Sequence, residues 1–338
     1  MAIGWAAAMS TALYGDDGFF VTGAGPAAHF RTSAHVVPVL GTAVVRLLEH
    51  LDRALGRPDP LDVVDVGAGR GELLTSLIRL VPPGLAARLR LTAVELAPRP
   101  GELPETIGWR ADLPTGVVGL LLGTEWLDNV PLEVAQAGPA GWRRVLVDPA
   151  TGAESVGDAV DAAEREWLDR WWPTPVGVDG PGVRAEIGLP RDAAWATAVA
   201  VVDRGLALAV DYGHLRQTRP VDGTLTGFRA GRQVPPVPDG SCDLTAHVSI
   251  DSVAAAGSTA AGSPYTLVSQ RDAVRALGVD GRRPPLALAS TDPAGYVHAL
   301  ARASAAAELG DPAGLGGHWW LLQPVGLDPS TPLLPPGR

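Results

Sequence analysis

Apolar residues recur along the first third of the chain with two different spacings. Their helical spacing between positions 34 and 55 predicts an amphipathic helix. The continuous apolar run 61–66 predicts a buried strand, which stops at the glycine-rich segment 67–71. A second helix is predicted directly behind the glycines, with an inner face formed by Leu73, Leu74, Leu77 and Ile78.

Three more apolar runs predict strands at 89–95, 117–122 and 205–210, the last after an amphipathic stretch at 192–203. Short apolar strands that alternate with helices predict an α/β fold, in which helices cover both faces of a parallel sheet. In such sheets, ligands bind beyond the carboxyl ends of the strands. The four predicted strands lead into a glycine or a carboxylate, namely Gly67, Glu95, Glu125 and Asp211.

Two segments interrupt this alternation. An insertion at 134–191 is predicted to form a hairpin and then an acidic helix, whose tryptophans are expected to pack rather than to touch substrate. The segment 214–240, rich in Pro, Gly and Arg, is predicted to be a lid or a substrate clamp. We therefore divide the chain into an N-terminal segment 1–33 that closes over the site, a core at 34–133 and 192–338, and the inserted subdomain.

Composition and charge narrow the function classes. The chain has 338 residues, of which 46% are hydrophobic and 19% charged, as is typical of a globular protein. Its net charge of −10 argues against nucleic-acid binding and is compatible with a basic protein partner. No apolar stretch reaches the ~20 residues of a membrane span. Positions 1–10 lack the basic residue of a targeting signal, so a cytoplasmic location is predicted.

Several residue types are absent or rare. All 27 basic residues are arginine, so neither a GxxxxGK[ST] phosphate loop nor a lysine Schiff base can exist. Cys242 is the single cysteine, which excludes a disulfide framework and a multi-cysteine zinc site. The seven histidines form no zinc-binding motif and GxSxG is absent, so neither a metal centre nor a serine hydrolase is expected.

The strongest motif is an Asp-x-Gly-x-Gly-x-Gly run at 65–71. Its glycines allow a tight turn and bring backbone N–H groups to a ligand at a helix N-terminus. A dinucleotide-binding loop would have glycine in place of Glu72, whose carboxylate would oppose a pyrophosphate. The leading aspartate suits a ligand with a cationic amino group, such as the methionine end of S-adenosylmethionine. Taken alone, such a turn can also be purely structural. The residues assigned to the cofactor loop are Asp65, Gly67, Ala68, Gly69 and Gly71.

Two further acids complete the predicted cofactor site. Glu95 follows the second strand, where a carboxylate can bind both hydroxyls of a ribose. Asp112 can accept a hydrogen bond from an adenine amino group, and it can equally be a cap or turn residue. Together with the glycine loop, these acids predict a nucleotide-like cofactor.

Short blocks spread over most of the chain form a recognisable set. They are the segments 12–20, 30–33, 66–71, 94–98, 125–131, 211–213, 223–225 and 243–248. The most distinctive are Glu-Trp-Leu-Asp-Asn-Val-Pro, Asp-Tyr-Gly, and Gly-Thr-Leu followed by Asp-Leu-Thr-Ala-His-Val. In these blocks the chain resembles a divergent bacterial branch of the MidA family, which includes the mitochondrial arginine methyltransferase that assists respiratory complex I assembly.

The resemblance implies a class I methyltransferase fold with a Rossmann-like sheet, S-adenosyl-L-methionine as cofactor, and protein arginine as methyl acceptor. The chain has Thr124 before Glu125 where the family usually has asparagine, and Thr124 is assigned to the cofactor site in its place. The insertion at 134–191 matches poorly, so the partner of the mitochondrial relative is not carried over. A protein substrate is expected, and the oligomeric state stays open.

Methyl transfer from a sulfonium is an in-line displacement, so the enzyme must align the acceptor nitrogen with the methyl group. A guanidinium, with a pKa near ~13.8, is a poor nucleophile unless carboxylates orient and polarise it. Glu125 and Asp128 would share one face of a helical turn. We assign Glu125 to orienting the acceptor and Asp128 to supporting it or contacting a second nitrogen. Alternatively, Asp128 caps a helix and Glu125 binds the cofactor or the backbone.

Asp211 and His247 complete the candidate catalytic set. Asp211 could flank the acceptor together with Tyr212, or it could hydrogen-bond the backbone at the end of its strand. His247 could accept a proton from the acceptor, or it could be structural. Tyr14 and Phe30 could close over the site, or they could pack in the core.

Four functions remain open at this point. The sequence favours an S-adenosylmethionine-dependent methyltransferase that acts on a protein side chain. A cofactor-binding assembly factor without turnover is the main alternative, since Thr124 departs from the family. A nicotinamide oxidoreductase is disfavoured by Glu72, and a small-molecule methyltransferase would need an enclosed pocket. Fold alone does not decide among them.

Overall fold

The computed structural model describes residues 1–22, 33–173, 182–328 and 331–335. Within them the strands are β1 (Ile3–Gly4), β2 (Leu61–Val66), β3 (Leu89–Val94), β4 (Ile107–Arg110), β5 (Val117–Thr124), β6 (Glu133–Gly138), β7 (Gly141–Val147), β8 (Glu154–Ala159), β9 (Arg184–Ile187), β10 (Val202–Asp211), β11 (Gly213–His214), β12 (Thr226–Arg229), β13 (Arg232–Val234), β14 (Asp243–Thr245), β15 (Val248–Ser249), β16 (Thr266–Ser269) and β17 (Trp319–Val325). The helices are α1 (Trp5–Tyr14), α2 (Phe19–Thr22), α3 (Ser33–Ala54), α4 (Glu72–Leu80), α5 (Pro83–Ala86), α6 (Ala162–Trp171), α7 (Leu189–Ala200), α8 (Ile250–Ala261), α9 (Gln270–Ala276), α10 (Leu286–Thr291) and α11 (Pro293–Leu309).

The main sheet has seven strands in the order β16-β17-β10-β5-β2-β3-β4. The four predicted strands are β2, β3, β5 and β10, and they run parallel to one another. The strand β4 extends the parallel part of the sheet. Strand β17 is antiparallel to both β10 and β16, so the seven-stranded sheet is mixed, and its parallel part contains the four predicted strands.

Side chains alternate across the central strands and fill two cores, as expected for a sheet covered on both faces. On one face, Leu61 and Val63 of β2 pack with α3 and α4. On the other face, Val64 and Val66 pack with α7 and α8. The predicted helix behind the glycines is confirmed as α4, but Ile78 is 38% exposed and does not belong to the inner face. The inner face is formed by the buried side chains of Leu73, Leu74 and Leu77, and position 78 lies at the edge of that face.

A second sheet is built from β1, β6, β7, β8 and β9, with the insertion supplying every strand except β1. The predicted hairpin is formed by β6 and β7. Strand β1 pairs with the end of β7, and helix α1 packs on the same sheet. The segment 1–22 is therefore part of this second layer. Phe30, for which closing over the site and packing in the core were both considered, lies outside the described residues.

The first half of the segment 214–240 is held to neighbouring elements by hydrogen bonds. The guanidinium of Arg219 donates to Asp251 Oδ1 at 2.5 Å and to the main-chain oxygen of Trp171 at 2.9 Å. The second half contains the strands β12 and β13. Among the described residues, we find no helix with the length and hydropathy needed to span a membrane.

Candidate functional site

The carboxyl ends of β2, β5 and β10 open into one cavity of about 1270 Å³. The cavity joins the glycine loop to a cluster of acidic and aromatic side chains, so it can hold two ligands side by side. The structure thus brings most of the predicted cofactor and catalytic residues together. Those that line the cavity are Asp65, Gly67, Ala68, Gly69, Thr124, Glu125, Asp128 and His247, whereas Gly71, Glu95, Asp112 and Asp211 do not line it.

The glycine loop turns between β2 and α4 with left-handed backbone angles, at φ 58° for Gly69 and 79° for Gly71. A Cβ atom on Gly71 would lie 2.6 Å from Leu103 Cδ1, the end of a side chain that can move, so the left-handed φ is the stronger reason for glycine at this position. A Cβ atom on Gly69 would have only Glu72 Oε2 nearby, at 3.6 Å, and would project into the cavity. At Gly69, therefore, no side chain separates the backbone from a ligand in the cavity.

Glu95 ties the glycine loop to the segment after β3. Its Oε2 accepts from Gly69 N at 3.0 Å, and its Oε1 accepts from Leu96 N at 2.7 Å and from Ala97 N at 3.1 Å. The carboxylate lies beside the loop, where a ribose is predicted to bind. Asp112 is exposed, and its predicted contact with adenine stays a prediction.

Asp65 carries a buried acceptor that lacks a hydrogen-bond partner. Its side chain is 2% exposed, and no group in the described part of the chain donates to Oδ1. Burial, together with the carboxylates of Glu72 and Glu95, raises the pKa of Asp65 to about 8. An unpartnered buried carboxyl oxygen is unfavourable. The site therefore fits a ligand that brings a cationic donor, as the amino group of S-adenosylmethionine would.

Glu125 lies in the half of the cavity that contains the acidic and aromatic side chains, which we call the acceptor half. Its backbone has a left-handed φ of 48°, which for a residue other than glycine costs about 1–3 kcal/mol and is typical of functional sites. Its side chain is 48% accessible, and the accessible part faces the cavity. Burial of the carboxyl within the cavity and the nearby Asp128 raise the pKa of Glu125 to about 7. Its Oε1 lies 3.9 Å from Nδ1 of His318.

Asp128 lies on a short 3-10 turn and is 3% exposed. Its Oδ2 accepts from the hydroxyl of Tyr212 and, at 2.7 Å, from Thr245 Oγ1. Its Oδ1 has no partner in the described residues and the side chain lines the cavity. Burial raises the pKa of Asp128, although the two hydroxyls oppose the shift. Asp128 thus has one oxygen held by the protein and one available to a cationic ligand.

Asp211 points away from the cavity. Its Oδ2 accepts from Leu127 N at 3.0 Å and from Asp128 N at 3.2 Å, so the carboxylate holds the 3-10 turn in place. This is the strand-end hydrogen bonding that the sequence left open as an alternative. Because Asp211 accepts from these backbone donors, it holds the turn that carries Asp128, and its predicted contact with the acceptor stays a prediction.

His247 presents its imidazole to the cavity and packs edge-on against the ring of Tyr212, with 5.1 Å between the ring centroids. Burial lowers the pKa of His247 below the ordinary value, so the imidazole is neutral and can accept a proton. Tyr14 reaches the site from α1, where its hydroxyl donates to the main-chain oxygen of Asn129 at 3.2 Å.

Sequence reasoning missed three residues that line this half. Asp243 accepts from Asn129 Nδ2 at 2.8 Å, and burial together with Asp128 raises the pKa of Asp243 to about 8. Burial and His247 lower the pKa of His318 to about 4. Thr245 is the third. Asp243 and Thr245 belong to the block 243–248, so the block carried a signal, whereas nothing in the sequence around His318 singles it out.

The raised pKa values predict how stability depends on pH. An acid with a higher pKa in the folded state stabilises that state fully below its unfolded pKa, and the contribution is lost as pH rises through the folded value. For Asp65 and Asp243, whose ordinary pKa of 3.8 rises to about 8 in the folded protein, the loss therefore extends from about pH 4 to about pH 8. The histidines with lowered pKa act in the opposite direction but have finished titrating by about pH 7.

We therefore expect the unfolding temperature of the ligand-free protein to fall between about pH 7, where the histidines no longer oppose the two acids, and about pH 8. Asp243→Asn should make this decline shallower, and Asp169→Asn, on the exposed face of α6, should leave it unchanged. Thermal unfolding followed by circular dichroism gives the measurement. A flat or rising profile for the native sequence would contradict the expected protonation.

Comparisons with known proteins identify the family and the fold. The model of a family described as "Putative S-adenosyl-L-methionine-dependent methyltransferase" matches residues 39–267. A curated relative is the mitochondrial protein arginine methyltransferase NDUFAF7 homolog of Drosophila melanogaster, 27% identical over 263 residues. The match covers 65% of this chain and 57% of that relative, so the chain spans little more than half of the relative's length.

Two solved structures from Burkholderia thailandensis have the same fold. One, described as a "likely methyl transferase", is bound to S-adenosyl-homocysteine and has 25% sequence identity and a TM-score of 0.78, covering 98% of this chain and 90% of that one. The other, an uncharacterised protein, has 25% identity and a TM-score of 0.75, covering 99% of this chain and 91% of that one. The likeness thus extends over nearly the whole chain.

Proposed function

Because the chain belongs to this family of S-adenosyl-L-methionine-dependent methyltransferases, we propose that it methylates a cationic nitrogen of a protein side chain, the guanidinium of an arginine. The family, the α/β fold class and the cofactor predicted from the sequence are confirmed by the comparisons. The acceptor is the proposed part. It draws on the name of the Drosophila relative and on the site itself.

One observation carries the proposal. The unpartnered Oδ1 of Asp128 and the carboxyl of Glu125 line the same cavity as the glycine loop. A planar guanidinium can donate to two carboxylates at once, and such charge-assisted bonds are stronger than neutral ones. A neutral acceptor would leave these acids without a partner. The arrangement therefore favours a cationic acceptor beside the cofactor.

The side chains of the cavity account for the steps of the reaction. The bound cofactor supplies the methyl group, and Glu125 and Asp128 hold the acceptor nitrogen in line with it. As the nitrogen–carbon bond forms and the carbon–sulfur bond breaks, the electron pair of the broken bond stays on sulfur. The acceptor nitrogen then loses one proton. Glu125, whose accessible carboxyl faces the cavity, is placed to take that proton and release it to solvent.

Calorimetry with the purified protein tests the cofactor half. We expect S-adenosylmethionine and S-adenosyl-homocysteine to bind in about the micromolar range, and NAD not to bind. Glu95→Gln should weaken binding by about 10–100-fold, because it removes the charge beside Gly69 and the predicted ribose site. Glu105→Gln, an exposed control, should bind like the native protein. If no adenosyl ligand binds, the proposal fails.

Transfer itself is tested with methyl-labelled cofactor and, as probes, Nα-acetyl-arginine amide and proteins extracted from the source cells. Label in methylarginine after acid hydrolysis supports the proposal. Cofactor binding without any labelled product would instead favour the assembly factor that binds the cofactor but does not turn over.

A further inference from the structure

Arg191 is buried beneath the acceptor half of the cavity. It lies in the first turn of α7 and is 1% exposed. Its guanidinium donates to four main-chain oxygens in two separate segments. They are Asp128 O at 2.5 Å, Val130 O at 3.2 Å, Ala246 O at 2.9 Å and His247 O at 3.0 Å.

The two segments held by Arg191 carry the acceptor-side chemistry. One contains Asp128, and the other contains Thr245 and His247, all of which line the cavity. A guanidinium presents several donors in one rigid plane, so a single residue can fix both segments relative to each other. A lysine or an apolar residue could not reproduce this set of bonds.

The charge of Arg191 also matters. Within the described residues, its hydrogen bonds go to main-chain oxygens and not to carboxylates. Its positive charge therefore acts through space. It lowers the pKa of Asp128 against the effect of burial, and it lowers the pKa of His247 in the same direction as burial. It favours an ionised Asp128 beside a neutral His247, the protonation states that a cationic acceptor needs.

Glu186 on β9 extends the same support to a third segment. Its Oε1 accepts from Leu225 N at 2.6 Å and its Oε2 from Thr224 Oγ1 at 2.7 Å. The Thr224 hydroxyl oxygen in turn accepts from His247 N at 2.8 Å. The short stretch from Glu186 to Arg191 thus connects three segments around the acceptor, while the hydrogen bonds of the glycine loop involve neither residue.

We infer that Arg191 is the positioning residue of the acceptor half of the cavity. It fixes the position of Asp128 relative to His247, independently of the glycine loop. The inference rests on the proposed function for its catalytic meaning. It can also be tested without turnover, because the titration of the His247 imidazole responds to the position and charge of Arg191.

Arg191→Met tests it, since methionine keeps much of the volume and removes the donors and the charge. We expect the rate of label transfer to arginine to fall by about 10²-fold, because misplaced catalytic groups lose alignment. The Kd for S-adenosyl-homocysteine should change by less than about threefold. The pKa of His247, followed by NMR and assigned with His247→Asn, should rise because the neighbouring positive charge is gone.

Arg191→Lys should recover part of the rate and of the His247 pKa, because it keeps the charge but only some of the donors. Arg204→Met, which removes a bond to Leu55 O at the other end of β10, should behave like the native protein. If Arg191→Met does not fold, Arg191→Lys carries the test, with a smaller rate loss at unchanged cofactor affinity.

The outcomes separate the two proposals. An unchanged rate and an unchanged pKa of His247 in the Arg191 variant that folds would overturn the positioning role. A parallel loss of cofactor affinity and rate would also overturn it, since the effect would then be general. If the native protein binds no cofactor, the proposed function fails, and the His247 titration still decides whether Arg191 sets the arrangement.

Discussion

Replacing Asp128 by asparagine should reduce methyl transfer by about 10²–10³-fold, the range found when one stabilising group of an active site is removed. In the native protein, Oδ2 is held by Tyr212 and Thr245 while Oδ1 is left for the acceptor. In Asp128→Asn, the amide oxygen can still accept from the two hydroxyls. The amide nitrogen then faces the cavity and repels a guanidinium, so the geometry is kept and the attraction is lost.

The expected pattern is loss of turnover with cofactor binding intact, because Asp128 lies on the acceptor side of the cavity. Stability should not fall, since the substitution removes a buried carboxylate whose pKa is raised by burial. Rates of label transfer, calorimetry with S-adenosyl-homocysteine and thermal unfolding together give the measurement. Asp158→Asn, exposed on β8, is the control. A variant that methylates at the native rate would remove Asp128 from the acceptor site.

Replacing Gly69 by valine should weaken cofactor binding by about 10²–10³-fold, which corresponds to about 3–4 kcal/mol. The Cβ position at Gly69 opens into the cavity and meets no atom of the protein closer than Glu72 Oε2 at 3.6 Å. The added side chain would therefore occupy the space of the ligand and not that of the fold. Its left-handed φ of 58° also adds strain of about 1–2 kcal/mol.

Gly116 offers a matched control for the strain. It has a similar φ of 71°, its Cβ would meet only Asp203 Oδ2 at 3.5 Å, and it lies outside the cavity lining. We expect Gly69→Val and Gly116→Val to lower the unfolding temperature by similar amounts, and only the first to lose S-adenosyl-homocysteine in calorimetry. Equal affinity in the two variants would show that the cofactor does not approach the loop at Gly69.

The parts of the site that the sequence predicted are those encoded by local pattern. An apolar run of six residues that stops at glycines specifies both β2 and the turn after it. The spacing of Glu125 and Asp128 likewise places both side chains in the cavity, because one tight turn connects them. In each case neighbours along the chain decide the geometry.

The parts that escaped prediction depend on residues that are distant in sequence. The hydrogen-bond partner of Asp211 is the backbone of the turn at Leu127, which is distant in sequence. The sequence of β10 alone therefore could not decide whether Asp211 faces the cavity or the backbone. Strand β17 runs antiparallel because of the path that the chain takes after α11, and it places His318 beside Glu125. Arg191 follows a proline at a helix start, where an arginine would ordinarily face solvent.

The pairing of β1 with β7 has a consequence for how the chain is made. Ile3 pairs with Val147, and the indole of Trp5 donates to Glu154 at 2.9 Å. On the ribosome, β1 and α1 emerge long before these partners are synthesised, so their apolar surface stays unpaired for most of the early translation. We expect β1 and α1 to join the second sheet only after β7 and β8 have been synthesised. Changes in α1 would then reduce the yield of soluble protein more than the melting temperature of the molecules that do fold.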